Sequence, residues 1–185
     1  MAKTESRMRD LGSPAPNFEL LEPLSGETLT LDAVAGSEAT VVLFICNHCP
    51  FVKHLLDGLV DFGNDYDRSQ VGIVAISSND VTGYPQDRPE RMAELAEEKE
   101  LPFPYLYDRT QDVARAYDAT CTPDFFLFND KRQLVYRGQF DDSRPGNSRP
   151  VTGADLRAAV NALLLGQQIN PEQKPSVGCN IKWSS

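Results

Sequence analysis

The chain has 185 residues, 41% hydrophobic, 24% charged and 9% aromatic, the balance of an ordinary globular domain. Twenty-seven Asp and Glu against 18 Lys and Arg leave a formal charge of -9, which repels phosphate backbones and anionic lipid and argues against nucleic-acid and membrane-surface roles. The longest apolar run, residues 41–46, falls far short of the ~20 residues a spanning helix needs, and the polar first ten residues lack the ~7–15-residue apolar stretch of a secretory signal, so no membrane partner and a cytoplasmic location are expected.

A polar start, expected to be mobile, leads into the turn-like Gly12-Ser13-Pro14-Ala15-Pro16. Residues 17–21 and 28–31 read as two short strands around Ser25 and Gly26, an N-terminal hairpin. Residues 39–45 are a β-branched apolar run without polar alternation, the pattern of a central strand covered on both faces. From Pro50 onward Phe51, Leu55, Leu59 and Phe62 recur at helical spacing, and proline suits the first position, so a helix of about four turns is predicted, ending near Tyr66. Residues 71–77 make a second buried strand. Asp87-Arg88-Pro89-Glu90 offers an N-cap with a glutamate three residues on, opening a helix with Met92, Leu95 and Ala96 on one face. Residues 108–111 repeat the capping pattern before a short helix through Val113, Ala114 and Tyr117. Residues 125–128 and 133–140 form a hairpin around Asn129-Asp130-Lys131, with Leu134, Tyr136 and Gly138 on one face. After an exposed loop at 143–150, Leu156, Ala159, Val160, Leu163 and Leu164 form a helical stripe stopped by Gly166. Residues 167–185 are expected to be an irregular tail. The order predicts a three-layer α/β domain with a mixed sheet.

Four cysteines, at 46, 49, 121 and 179, are too few and too scattered for a disulfide scaffold in a chain of this size. One pair is close in sequence, Cys46-Asn47-His48-Cys49. With Pro50 as first helical residue, Cys49 is the N-cap, where unpaired N–H groups and the positive end of the helix dipole favour thiolate, and a protonated His48 would add to this. Cys49 is therefore the candidate nucleophile. Cys46, three residues back at the strand end, is a candidate resolving thiol. Two other readings stay open: both are buried core cysteines, or the cysteines hold a metal, although structural zinc uses two close pairs and 121 and 179 are far apart. Cys121 reads as a small core residue, Cys179 as a third redox candidate, and His54 as a residue on the exposed or flanking face of its helix.

Several stretches together resemble the redoxin branch of the thioredoxin superfamily. Residues 12–18, the Gly26 turn and Leu31 are similar to the amino-terminal entry of peroxiredoxins and bacterial thioredoxin-like reductases. Phe44-Ile45-Cys46-Asn47-His48-Cys49-Pro50 is similar to the thioredoxin stretch that ends in the first active-site cysteine, and Cys121-Thr122-Pro123-Asp124-Phe125-Phe126 to the segment holding the cis-proline. The tail around Gly178-Cys179-Asn180 is similar to that of a peroxiredoxin-like subgroup of bacterial proteins. The resemblance implies a thioredoxin-like fold over one domain, with its core at about 10–165 and a tail at 166–185. It also implies a cis bond at Thr122-Pro123, although only ~5–6% of such bonds are cis in general. Departures are equally visible. Val52 stands at the family's second cysteine, Leu43 and Cys46 stand where threonine would precede a peroxidatic cysteine, and Thr122-Pro123-Asp124 lacks the family's arginine.

The function expected is thiol–disulfide exchange, with Cys49 attacking, Cys46 or Cys179 resolving, and Thr122, Pro123, His48 and Pro50 at the substrate site. No cofactor is implied. The partners expected are a disulfide-containing protein or a small thiol or peroxide substrate, and a cellular thiol reductant. The alternatives are a peroxiredoxin-like antioxidant peroxidase, disfavoured because peroxide reduction needs donors that polarise the O–O bond, and a non-catalytic binding or metal-handling module on the same fold.

Overall fold

The computed structural model of the protein describes residues 3–185. In chain order the elements are β1 (Lys3–Glu5), β2 (Glu19–Leu21), β3 (Thr28–Thr30), α1 (Leu31–Val34), β4 (Ala39–Phe44), α2 (Pro50–Asn64) and β5 (Val71–Ser77). A short 3-10 turn, Pro85–Asp87, precedes α3 (Pro89–Glu98), β6 (Tyr105–Tyr107), α4 (Asp112–Tyr117), β7 (Cys121–Thr122), β8 (Asp124–Asn129), β9 (Leu134–Gly138), α5 (Ala154–Leu164) and β10 (Val177–Asn180). Seven strands form a mixed sheet in the order β3-β2-β6-β5-β4-β8-β9. β4, β5 and β6 run parallel at the centre of the sheet, and the strands on either side, β2 and β3 beyond β6 and β8 and β9 beyond β4, pair antiparallel. No helix among the described residues is long and apolar enough to cross a membrane.

The apolar run of β4 is buried along its whole length because both faces are covered. Val41 and Leu43 face one core with Leu55, Leu59 and Phe62 of α2 and Leu156 and Val160 of α5. Val42 and Phe44 face the other with Val113, Ala114 and Tyr117 of α4. Each large side chain so buried is worth roughly 1.5–3 kcal/mol. Tyr117 packs edge-on against Phe126 and Phe128 of the same face, and its hydroxyl donates to the Pro16 carbonyl at 2.8 Å, tying the N-terminal approach to the core.

Several expectations need correction. The polar start is partly ordered: Lys3–Glu5 pairs antiparallel with β10, inside the tail expected to be irregular. A second, three-stranded sheet, β1-β10-β7, results. β6 is a strand unseen in the sequence because Pro102 and Pro104 break the pattern leading into it; it lies parallel to β5. The hairpin of residues 125–140 is present, but Leu134 and Tyr136 lie in opposite cores. Leu127 pairs with Tyr136 and Phe128 with Leu134, so one extra residue, Val135, flips the alternation. Finally, α3 is preceded by Arg88, not capped by Asp87, whose carboxylate is used elsewhere.

Candidate active site

β4 ends at Phe44 and α2 begins at Pro50, and the five residues between them carry the two close cysteines. Cys49 occupies the N-cap with extended backbone, and Pro50 takes the first helical position, as the sequence predicts. Val52, Leu55, Leu56 and Leu59 then pin the helix against the sheet, which fixes the helix start and with it the sulfur.

Three chain segments converge on that sulfur. Cys49 Sγ lies 3.2 Å from the Thr122 carbonyl oxygen and 2.7 Å from Cys179 Sγ on β10. The Thr122-Pro123 bond is cis, as the resemblance implies. Cys46 Sγ lies 3.4 Å from Thr122 Oγ1 and 3.9 Å from His48 Nδ1. All four cysteines are free and buried. Cys121, 3.7 Å from the Pro123 carbonyl, has its thiol pushed up by burial, as befits a core residue. Cys46, Cys49, Cys179, Thr122 and Pro123 are thus brought together, whereas His54 pairs with Ser143 at 2.7 Å on the far side of the helix turn.

The thiols differ sharply in acidity. Cys49 is pulled down to about 5, first by hydrogen bonding from the Cys46 thiol, against the opposing effect of burial, with smaller help from Cys179 and the Val52 amide. Cys46 is pushed up because donating to Cys49 requires it to keep its proton, and burial and Asp87 act in the same direction. Cys179 is pushed up to about 12, by burial first and then by donation to Cys49. The leading cause at Cys49 is therefore a neighbouring thiol; the helix end contributes a smaller share through the Val52 N–H, and His48 is not among the causes. His48 is turned away from Cys49: it stacks on Tyr84 at 5.0 Å and holds Asp87 Oδ2 at 2.5 Å through Nδ1.

Asp87 is the residue that sequence reasoning missed. Fully buried, it accepts from the backbone N–H groups of Asn47 and His48, at 2.8 and 3.2 Å, and from Asn79 Nδ2 at 2.9 Å. One carboxylate thereby shapes the whole turn between the two cysteines. Its capping pattern with Glu90 was a local signal that concealed a contact 40 residues away. Cys46, His48 and Asp87 have potential ligand atoms within 4.8 Å of one another. The 2.5 Å between His48 and Asp87 is nevertheless a hydrogen-bond distance, where two ligands on one tetrahedral zinc, bonded at ~2.0–2.1 Å, would stand ~3.3 Å apart. With Asp87 also committed to three N–H donors, the cluster reads as a hydrogen-bonded chain and does not fit an ion.

A mixed sheet in which a helix opens on a buried thiol, facing a cis-proline segment, defines a thioredoxin-like redoxin. The chain belongs to the AhpC/TSA family, whose model matches residues 11–137. Two solved structures are similar over essentially the whole length. One is an uncharacterised conserved protein from Geobacillus kaustophilus, 54% identical with a TM-score of 0.97, covering 100% of this chain and 97% of that one. The other is a hypothetical protein from Sinorhizobium meliloti 1021, 47% identical with a TM-score of 0.95, covering 98% and 99%. The thioredoxin domain of a thiol-disulfide oxidoreductase from Bacteroides vulgatus shares the fold at 19% identity and a TM-score of 0.58, over 70% of this chain and 89% of that one. No curated protein matches the sequence. Cys179 lies beyond the family match, in the segment where the two full-length neighbours still superpose.

Proposed function

We propose that the protein is a thiol–disulfide oxidoreductase in which Cys49 attacks as thiolate and Cys179 resolves. The observation that carries the reading is the 2.7 Å approach of Cys49 Sγ and Cys179 Sγ, combined with acidities shifted in opposite directions. The Cys49 thiolate attacks one sulfur of a disulfide RS–SR′, forming Cys49–S–S–R and releasing R′S⁻. Cys179, losing its proton, then attacks the Cys49 sulfur, and RS⁻ leaves with that proton. Two electrons have passed to the substrate, and an external dithiol restores the reduced protein. Cys46 stays protonated throughout beside the nucleophile, its sulfur 3.4 Å from Thr122 Oγ1. Thr122 and Pro123 offer the backbone edge beside it, Pro50 sets the helix start, and His48 acts only through Cys46 and Asp87.

A peroxidase reading draws on the AhpC/TSA match. Against it, the groups at Cys49 Sγ are thiols, a carbonyl and an amide, none of them the cation that would polarise an O–O bond. The substrate proposed is a disulfide-bearing protein or small disulfide, with a cellular thiol as reductant. A reducing cytoplasm suits four free thiols, and that location is part of the proposal.

Mild oxidation with one equivalent of diamide, followed by peptide mass spectrometry, is expected to yield the 49–179 linkage. A 46–49 linkage instead would transfer the resolving role to Cys46. In Cys179→Ser the mixed disulfide with substrate is expected to accumulate, and dithiol-driven reduction of a model disulfide should exceed peroxide consumption in the unaltered protein. Faster peroxide turnover would move the assignment to the peroxidase, and no turnover of either to a binding module.

A further inference from the structure

We propose that the C-terminal segment, residues 176–184, is a lid occupying the strand position that any substrate of Cys49 must take, and that it has to lift before the protein can react with an external disulfide. The inference rests on Cys49 being the nucleophile. Its first support is accessibility: Cys49 is 0% exposed, so no outside sulfur reaches it while the present arrangement holds. The cover is β10 itself. Cys179 lies opposite Thr122 and Asn180 opposite Cys121 in antiparallel register, so the backbone edge of β7 beside the nucleophile is already paired. Cys179 Sγ stands where an incoming sulfur would have to stand. The tail is thus an extended segment presenting a cysteine to Cys49, an internal counterpart of an external substrate.

The fit is close and specific. A Cβ on Gly178 would lie 1.9 Å from the Thr122 carbonyl oxygen, so this position can lie flat on β7 only as glycine. Beyond the strand, Ile181 N–H donates to Thr120 at 3.0 Å and Lys182 N–H to Asn79 Oδ1 at 2.9 Å, while the Lys182 carbonyl accepts from Asp80 N–H and Gln111 Nε2. Asn79 is the same carboxamide that donates to Asp87, which holds the turn between the cysteines. Latch and active-site turn therefore share one side chain.

Topology makes the lid separable. β10 belongs to the small sheet with β1 and β7 and has no partner in the seven-stranded sheet. It is only four residues long, so it can peel away while the main sheet stays paired, an opening far less costly than global unfolding. Lifting exposes Cys49 and the β7 edge; the external disulfide reacts; the returning tail brings Cys179 to the mixed disulfide and displaces the substrate from the same edge. Formation of the 49–179 disulfide then closes the lid covalently, and reduction by the external dithiol releases it.

The test is native-state alkylation of Cys49 by iodoacetamide, followed site by site by mass spectrometry from pH 4 to 9, in the unaltered protein and in Gly178→Val. The variant is expected to react at least tenfold faster at pH 7 and above, with a midpoint raised somewhat because the smaller Cys179 share of the lowering is lost. A midpoint at the free-cysteine value in both proteins would sink the nucleophile reading, while the ratio of rates still tests the lid. In parallel, hydrogen exchange of the unaltered chain is expected to be at least tenfold slower over residues 177–182 after diamide oxidation than after reduction. A rate ratio near one in folded Gly178→Val, or equal exchange in the two redox states, overturns the proposal; if the variant does not fold, exchange alone decides.

Discussion

Replacing Cys49 by serine is expected to abolish the proposed disulfide exchange, and replacing Cys46 by alanine to tilt its pH profile instead of lowering it uniformly. Cys46 is the largest cause of the low Cys49 pKa, about 5. Without its hydrogen bond the nucleophile moves up toward the ~8.5 of free cysteine. At pH 6 a full return would cut the thiolate fraction from about 0.9 to roughly 0.003, a loss of ~300-fold. Intrinsic nucleophilicity moves the other way, since it grows with basicity at a slope of ~0.4–0.5, which over the same interval recovers ~40-fold. The two effects leave a net loss of about 8-fold at pH 6, near-equality at pH 7 and a gain of about 9-fold at pH 8.

The sign follows from the depressed acidity. In the unaltered protein the rate is expected to be flat from about pH 6 upward and to decline only as pH falls through about 5. In Cys46→Ala it climbs with unit slope to ~8.5. Second-order rates with a small aromatic disulfide, measured from pH 4 to 9, separate the cases, because lid opening scales both profiles alike. Two parallel profiles, displaced only vertically, would mean that Cys46 contributes packing and not the acidity of its neighbour.

What could be read from the sequence was what is decided locally. The apolar run of β4, the helical spacing of α2 and the proline after Cys49 are short-range signals, so the position of Cys49 at a helix start was legible. Asp87 was visible only as a capping residue, because its true partners, Asn47 and His48, are brought to it by the crossing from β4 to β5. β10 escaped for a related reason. Val177-Gly178-Cys179-Asn180 has no alternation strong enough to mark a strand, and its partners, β1 and β7, are three and two residues long. Only the fold, by delivering both edges to one place, makes the tail a strand. Cys179 was thus recognisable as a thiol out of place in a tail, but its 2.7 Å approach to Cys49 was not.

Arg137→Met is expected to destabilise the protein by about 3–5 kcal/mol, the usual result of leaving one member of a buried ion pair without its partner. Arg137 of β9 and Asp124 of β8 have fully buried side chains, 3.0 Å apart, and the guanidinium lies 3.7 Å above the Phe126 ring. Arg137 thus lies in the core, paired to the residue that follows Pro123. Burial already pushes Asp124 up to about 7, with Arg137 pulling the other way. Removing Arg137 removes the restraint, so the carboxyl rises further and is held neutral. A group raised above its unfolded value of ~3.9 contributes stability that is complete at lower pH and lost as pH climbs through the folded value. The cost of Arg137→Met should therefore be smaller at pH 5 than at pH 8, as read from the midpoints of urea unfolding. Adding Asp124→Asn should recover most of the loss at pH 8, because no charge is then left buried, and a pair replaced together is often close to neutral. Equal costs at both pH values, or a double variant as unstable as the single, would show that the guanidinium acts through its contact with Phe126 and not through its charge.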